Sequence, residues 1–238
     1  ATTNDTRLFE RLRGDGSQWG LEISYEVQFL PGGLAQAFII AEEFLSGEPS
    51  ALILGDNLFY GNAFRDLLES ADTQQEGATI FVYNVNDPER YGVVEFDTSG
   101  NAISIEEKPK NPKSSFAITG LYFYDNKVVD YAKQIKPSYR NELEITDINK
   151  IYMEDNKLSV KVMKRGYAWL DTGTHESLLQ AHQFVQTIEH RQGLKIACPE
   201  EVAYNQDWIT KEEIKVLAEP MLKNKYGQYL MQVIKESE

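Results

Sequence analysis

Residues 51–61 read ALILGDNLFYG: an apolar run that stops at a glycine, an aspartate and an amide, then turns apolar again. A short continuous apolar strand is the pattern of a sheet covered on both faces. In open α/β sheets, ligands lie beyond the carboxyl ends of the strands. Asp56 and Asn57 fall at that place, after a glycine that lets the backbone come close. Residues 167–178, YAWLDTGTHESL, repeat the arrangement, with Asp171 ending a strand before Gly173 and a helix. Two strand-end carboxylates suit a magnesium ion, which takes oxygen ligands and commonly bridges to a substrate phosphate. Either acid alone would serve equally well to cap the turn that follows it.

Outward from this stretch, strand and helix signals alternate. Residues 4–16, NDTRLFERLRGDG, predict a short helix capped by Asn4 or Asp5 and stopped by Gly14 and Gly16. EISYEVQ places Ile23, Tyr25 and Val27 at period two, a strand. LAQAFIIAEEFL carries Leu34, Phe38, Ala41 and Leu45 at helical spacing. A helix near 63–72 precedes the strand ATIFVYNV. YGVVEFD and AISIEE flank Thr98–Asn101 as a β-hairpin. ITGLYFYD, LSVKVMK and YAWLD are further strands, with helices near 126–135, 145–154 and 175–192. Two or three helices follow in the last 40 residues. The pattern predicts an α/β domain on a mixed, mostly parallel sheet, over residues 1–194, with a helical C-terminal extension over 195–238.

Composition excludes several functions. Lys and Arg number 24 against 37 Asp and Glu, a formal net charge of −13 in 238 residues. Non-specific nucleic-acid binding needs an excess of cations on phosphate, so no nucleic-acid partner is expected. A phosphate-bearing small molecule needs only a few local cations. The one cysteine, Cys198, rules out an internal disulfide and fits a reducing compartment. No apolar run approaches the roughly 20 residues that span a bilayer. The expectation is a soluble, cytoplasmic protein with no membrane partner.

Several motifs occur in order along the chain: GLAQAF, LGDNLFYG, NDPERYGVVEFD, EEKPKNPKS, TGLYFYDN, ELEITDIN, RGYAWLDTGTHESL and CPEE. Together they resemble the glucose-1-phosphate thymidylyltransferase family of sugar nucleotidyltransferases. The resemblance implies a three-layer Rossmann-like fold, a homotetramer, Mg2+ as cofactor and the first step of dTDP-L-rhamnose synthesis, in which dTTP and glucose 1-phosphate give dTDP-glucose and pyrophosphate. No protein nucleophile or general base is implied, because the attacking phosphate is already ionised; catalysis then rests on positioning and charge neutralisation.

The site residues follow from the same resemblance. Gln28 would read the thymine edge, and the backbone at Gly33 would approach the base. Asp56 and Asp171 would hold the metal, with Asn57 beside them. Gly92 would admit the sugar ring, Glu107 would accept its hydroxyls, and Lys108 would steady the attacking phosphate. Ile118 would meet the sugar through its main chain, and Arg140 would add a phosphate contact. Asn141 stands where the family commonly has glycine, a change expected to alter that turn. A second nucleotide site at a subunit contact is implied at Tyr60, Gly61, Arg165 and Lys195.

The family's glycine-rich GGSGTRL-type loop and the lysine segment after it have no counterpart in these 238 residues. That loop cradles a triphosphate. The alternative reading is therefore a non-catalytic sugar-nucleotide binding module. A nicotinamide-dependent oxidoreductase is disfavoured, because no G-x-G-x-x-G follows a strand.

Overall fold

The computed structural model describes residues 5–236, which form two compact units: residues 5–29 with 182–236, and Leu30–Ala181. The expected division after residue 194 falls inside the first of these.

Along the chain, the helices are α1 (Thr6–Arg13), α2 (Gln36–Ile40), α3 (Glu42–Leu45), α4 (Phe64–Asp72), α5 (Val128–Gln134), α6 (Ile145–Glu154), α7 (His175–Gln192), α8 (Pro199–Asn205), α9 (Lys211–Ala218) and α10 (Lys225–Glu236). The strands are β1 (Ser50–Ile53), β2 (Asn57–Gly61), β3 (Ala78–Asn84), β4 (Gly92–Phe96), β5 (Ala102–Glu107), β6 (Phe116–Tyr124), β7 (Leu158–Met163) and β8 (Tyr167–Asp171).

In the larger unit the main sheet runs β5-β4-β6-β3-β7, with β1 also paired to β6. Alternation along β3 explains its layers. Ile80 and Val82 point into one core with Phe38 of α2, Val128 and Ala132 of α5, and Ile148 and Tyr152 of α6. Phe81 points the other way, against Leu121, Met163 and Ala71 of α4. Helices therefore cover both faces, as the α/β expectation requires.

The sheet is mixed, but the expectation of a mostly parallel one is corrected. Among the described pairings only β3–β7 is parallel; β1–β6, β3–β6, β4–β5 and β4–β6 are all antiparallel. The reason is connectivity. No α-helix lies between β4 and β5 or between β5 and β6, and a parallel return needs a long crossover. The strand at 51–54 is corrected too. It is half-exposed, with Ile53 at 59%, and pairs antiparallel with β6. NLFYG, which carries no clean periodicity, forms β2 and pairs with β8 in a separate two-stranded ribbon.

In the smaller unit, α8, α9 and α10 bury Cys198, Ala203, Ile214, Leu230 and Ile234, and Trp19 packs against this cluster. α1 ends at Gly14, as its glycines predict; Asp5 precedes it without a side-chain cap, and Asn4 lies outside the described residues. The strand expected over 22–28 is absent. Its alternation is that of a strand, but the described sheets offer it no ladder. The helix expected from Leu34 to Leu45 breaks at Ala41 into α2 and α3. Among the described residues no helix is long and apolar enough to cross a membrane.

Candidate functional site

A cleft of about 540 Å3 opens on the larger unit, of the size of a small-molecule site. One wall is the β2–β8 ribbon, the other the β4–β5 hairpin with the segment that leads into α6. Asp56, Asn57, Gly92, Glu107, Lys108, Ile118, Arg140 and Asp171 all line it. The structure thus brings together eight expected residues that are spread over 115 positions of sequence.

The ribbon register explains the meeting of the two acids. Asn57 sits opposite Asp171, and the backbone continues the pairing one step further, with Thr172 N–H and Oγ1 both donating to the Asp56 carbonyl at 2.8 and 3.0 Å. At Gly173, a methyl group would lie 3.4 Å from Asp171 Oδ2 and 3.7 Å from Asp56 Oδ2. The two carboxylate oxygens are therefore at most about 7 Å apart, within reach of one ion or an ion and a water.

Asn57 is a hub. Its Nδ2 donates to Asp56 Oδ1 at 2.7 Å, while its Oδ1 accepts from Gly120 N–H at 3.1 Å and from Trp169 Nε1 at 2.6 Å. These bonds tie the acid to β6 and β8 together. Asp171 is held as firmly. Arg90 Nη2 donates to its Oδ2 at 2.9 Å, and Tyr91 Oη donates to its Oδ1 at 3.0 Å. Burial and the neighbouring Asp171 hydrogen bond push the Tyr91 phenol well above its usual range, so it stays a donor. Trp169 packs edge-on to Tyr91 at 5.0 Å. Arg90, Tyr91 and Trp169 are functional candidates that local pattern does not reveal.

On the opposite wall, Gly92 pairs with Glu107 across the hairpin. A side chain at Gly92 would meet Thr146 at 2.9 Å and Ile118 at 3.2 Å, so close packing as well as any ligand explains the glycine. Burial raises the Glu107 carboxyl above its ordinary value, and Glu144 adds to the rise. Lys108 adopts a left-handed backbone with φ 41°, immediately before Pro109, and its N–H donates to the Tyr91 carbonyl at 3.0 Å. A non-glycine residue held this way costs about 1–3 kcal/mol, a cost that is concentrated at functional sites.

Arg140 is surrounded by acids. It bonds Glu144 through Nε at 3.1 Å and Nη2 at 3.0 Å, and Glu142 through Nη2 at 2.6 Å, with Glu107 3.9 Å away. Asn141 takes φ 62°, a left-handed conformation that asparagine tolerates. Gly33, at φ 96°, runs against the backbone of Leu143, where a methyl would collide with the carbonyl oxygen.

The remaining expected residues lie elsewhere. Tyr60 and Gly61 are at the far end of the ribbon, opposite Ala168 and Tyr167, and exposed Arg165 lies just before β8. Gln28 and Lys195 belong to the smaller unit; Lys195 pairs with Glu189 there and lines a separate cavity with His182 and His190. His175 is exposed at the start of α7.

Comparison with known proteins fits this geometry. The nucleotidyl transferase family model matches residues 1–188. The glucose-1-phosphate thymidylyltransferase of Neisseria meningitidis serogroup A is 56% identical, over 98% of this chain and 81% of its own length. That of Xanthomonas campestris is 54% identical, over 98% and 79%. A crystal structure of a Bacillus anthracis protein assigned to the same activity, in complex with sucrose, matches at TM-score 0.70 and 42% identity, over 77% of this chain and 73% of that one. A UDP-glucose pyrophosphorylase bound to UDP-glucose shares the fold, at TM-score 0.63 and 20% identity, over 79% and 74%.

Proposed function

Since the chain belongs to the glucose-1-phosphate thymidylyltransferases, within the nucleotidyl transferase family, we propose that its cleft holds glucose 1-phosphate and the α-phosphate of dTTP side by side. A phosphate oxygen of the sugar phosphate attacks the α-phosphorus of dTTP. The new P–O bond forms as the bond to the bridging oxygen breaks, and pyrophosphate leaves with that electron pair. The product is dTDP-glucose.

The observation that carries this reading is the convergence of Asp56, Asp171, Glu107 and Lys108 on one cleft. Glu107 accepts hydrogen bonds from sugar hydroxyls, and Gly92 and Ile118 shape the floor beneath the ring. Lys108 meets the attacking phosphate, with Arg140 as a secondary contact already shared with Glu142 and Glu144, and charge-assisted bonds of that kind fix orientation. Asp56 and Asp171 would hold Mg2+; a pair of carboxylates suits an ion that takes its other ligands from phosphate and water. Bound there, the ion would neutralise charge on the phosphoryl oxygens. Asn57 keeps Asp56 in place through its ties to Gly120 and Trp169. The product would enter dTDP-L-rhamnose synthesis.

Calorimetric titration with dTDP-glucose in the presence of Mg2+ tests the reading. Saturable binding is expected, weakened by Glu107→Ala and by Asp171→Asn. No binding to the wild-type chain would overturn it. Single-turnover pyrophosphate release from dTTP and glucose 1-phosphate then separates transfer from binding alone.

A further inference from the structure

Asp171 is placed as a cation ligand, yet both of its oxygens are engaged by the protein itself. Arg90 Nη2 sits 2.9 Å from Oδ2, the oxygen that faces Gly173 and Asp56, while Tyr91 Oη takes Oδ1. The Asp171 side chain is only 17% exposed, so the ion pair is shielded more than a surface one. Arg90 also has a second anchor, Asp87, at 2.8 Å through Nη1. Its guanidinium therefore bridges an inner and an outer carboxylate. Arg90, Tyr91, Trp169 and Asp171 line the main cleft and also a neighbouring cavity of about 370 Å3 on the Asn84–Asp87 side. Space exists on the outer side, and Asp87 would retain the guanidinium if it left Asp171.

We propose that Arg90 is a place-holding counter-ion of Asp171, a positioning residue that competes with a divalent cation for Oδ2 and gives way when the cation binds. The inference rests on the reading of Asp56 and Asp171 as the metal ligands. A buried carboxylate without a counter-charge is costly, and the guanidinium supplies that charge while the cleft is empty. Once a cation takes Oδ2, Arg90 stays on Asp87 and its Nη2 is free to meet an anionic phosphate oxygen in the cleft. The same side chain then serves two states, neutralising the acid in one and the substrate in the other. Tyr91 holds Oδ1 throughout, so the carboxylate keeps its orientation during the exchange.

The test is Mn2+ binding to the full chain without nucleotide, followed through the electron paramagnetic resonance signal of free Mn2+. Arg90→Gln removes the competitor and leaves Asp171 intact, so the Mn2+ Kd should fall by about two- to fivefold, the equivalent of releasing a partly exposed ion pair. Arg90→Lys should restore most of the wild-type Kd. An Arg90→Gln Kd that is unchanged or raised overturns the inference, because a residue that merely supports Asp171 would weaken the site when removed. Asp171→Asn is the control on the underlying reading. If it leaves Mn2+ binding intact, the metal assignment itself fails. If it abolishes binding while Arg90→Gln changes nothing, only the exchange fails. Thermal unfolding of each variant confirms that the fold is retained.

Discussion

The two walls of the cleft treat their acids in opposite ways. On the ribbon wall, Asp56 is exposed and bonded through its side chain to the neutral amide of Asn57, while Asp171 faces a guanidinium and a phenol. On the hairpin wall, three carboxylates crowd one guanidinium, and the partly buried Glu107, 19% exposed in its side chain, feels the charge of Glu144, at 7%. The first wall neutralises one acid, Asp171, with a guanidinium and leaves the other, Asp56, exposed with only a neutral amide on it. The second is short of positive charge, so Glu107 is disposed to meet neutral hydroxyl donors, and Lys108 is the cation beside it that the protein leaves for a phosphate. In the proposed reaction, metal and sugar would be sorted by electrostatic surroundings as well as by shape.

The largest effect that could break this contrast is on the ribbon wall. Asp171→Asn keeps shape and removes charge, so turnover in a pyrophosphate-release assay should fall by about 10²–10³-fold or more, as for loss of a preorganised electrostatic group. A loss below tenfold would show that the ribbon acids are not the charged centre. Glu107→Ala, on the opposite wall, should act selectively. The KM for glucose 1-phosphate should rise about 10- to 100-fold, the worth of a hydrogen bond to a charged group, while dTTP binding changes little. Equal losses for both substrates would assign Glu107 to the fold instead.

The smallest effect is thermodynamic. Burial raises the Glu107 carboxyl above its unfolded value, so the folded chain binds this proton more tightly than the unfolded one. Stability from this group is present at low pH and declines as pH climbs from the unfolded value through the folded one. Glu107→Gln, which cannot ionise, should therefore unfold at a higher temperature than wild type near neutrality. The advantage should vanish below the ordinary carboxylate range. Melting curves across that pH interval give the sign directly; an advantage that grows on acidification would contradict it.

What could be read from residue order divides along the same walls. Asp56 and Asp171 were legible because each follows an apolar run, whereas the hairpin that carries Glu107 and Lys108 was legible but their roles came only from the family resemblance. Helix ends at Gly14 and the hairpin at Thr98–Asn101 follow from glycine and turn chemistry. Arg90 and Trp169 were not legible, since their partners lie 81 and 112 residues away and no local periodicity encodes such a bond. Sheet direction failed for a related reason: helix signals flank the strands, but whether a strand runs parallel depends on what lies between its two spatial neighbours. The strand expected over 22–28 shows the limit of alternation, which describes how side chains point and says nothing of which chain supplies the ladder.

The ribbon has a consequence for how the protein comes into being. Asn57 finds its partner Asp171 only across 114 intervening steps of chain, and β3 finds its parallel neighbour β7 across about 80. At ribosomal rates of about 5–20 residues per second, the chain carries Asp56 for roughly six to twenty-three seconds before its companion is polymerised. Until then β2 has no strand to lie against. The β4–β5 hairpin needs no such interval, because Gly92 and Glu107 emerge within about three seconds of each other at the slowest of those rates. The hairpin is therefore the early part of the cleft's assembly and the acid pair the late one, so cation binding at that pair, as proposed, would report completed synthesis rather than local folding.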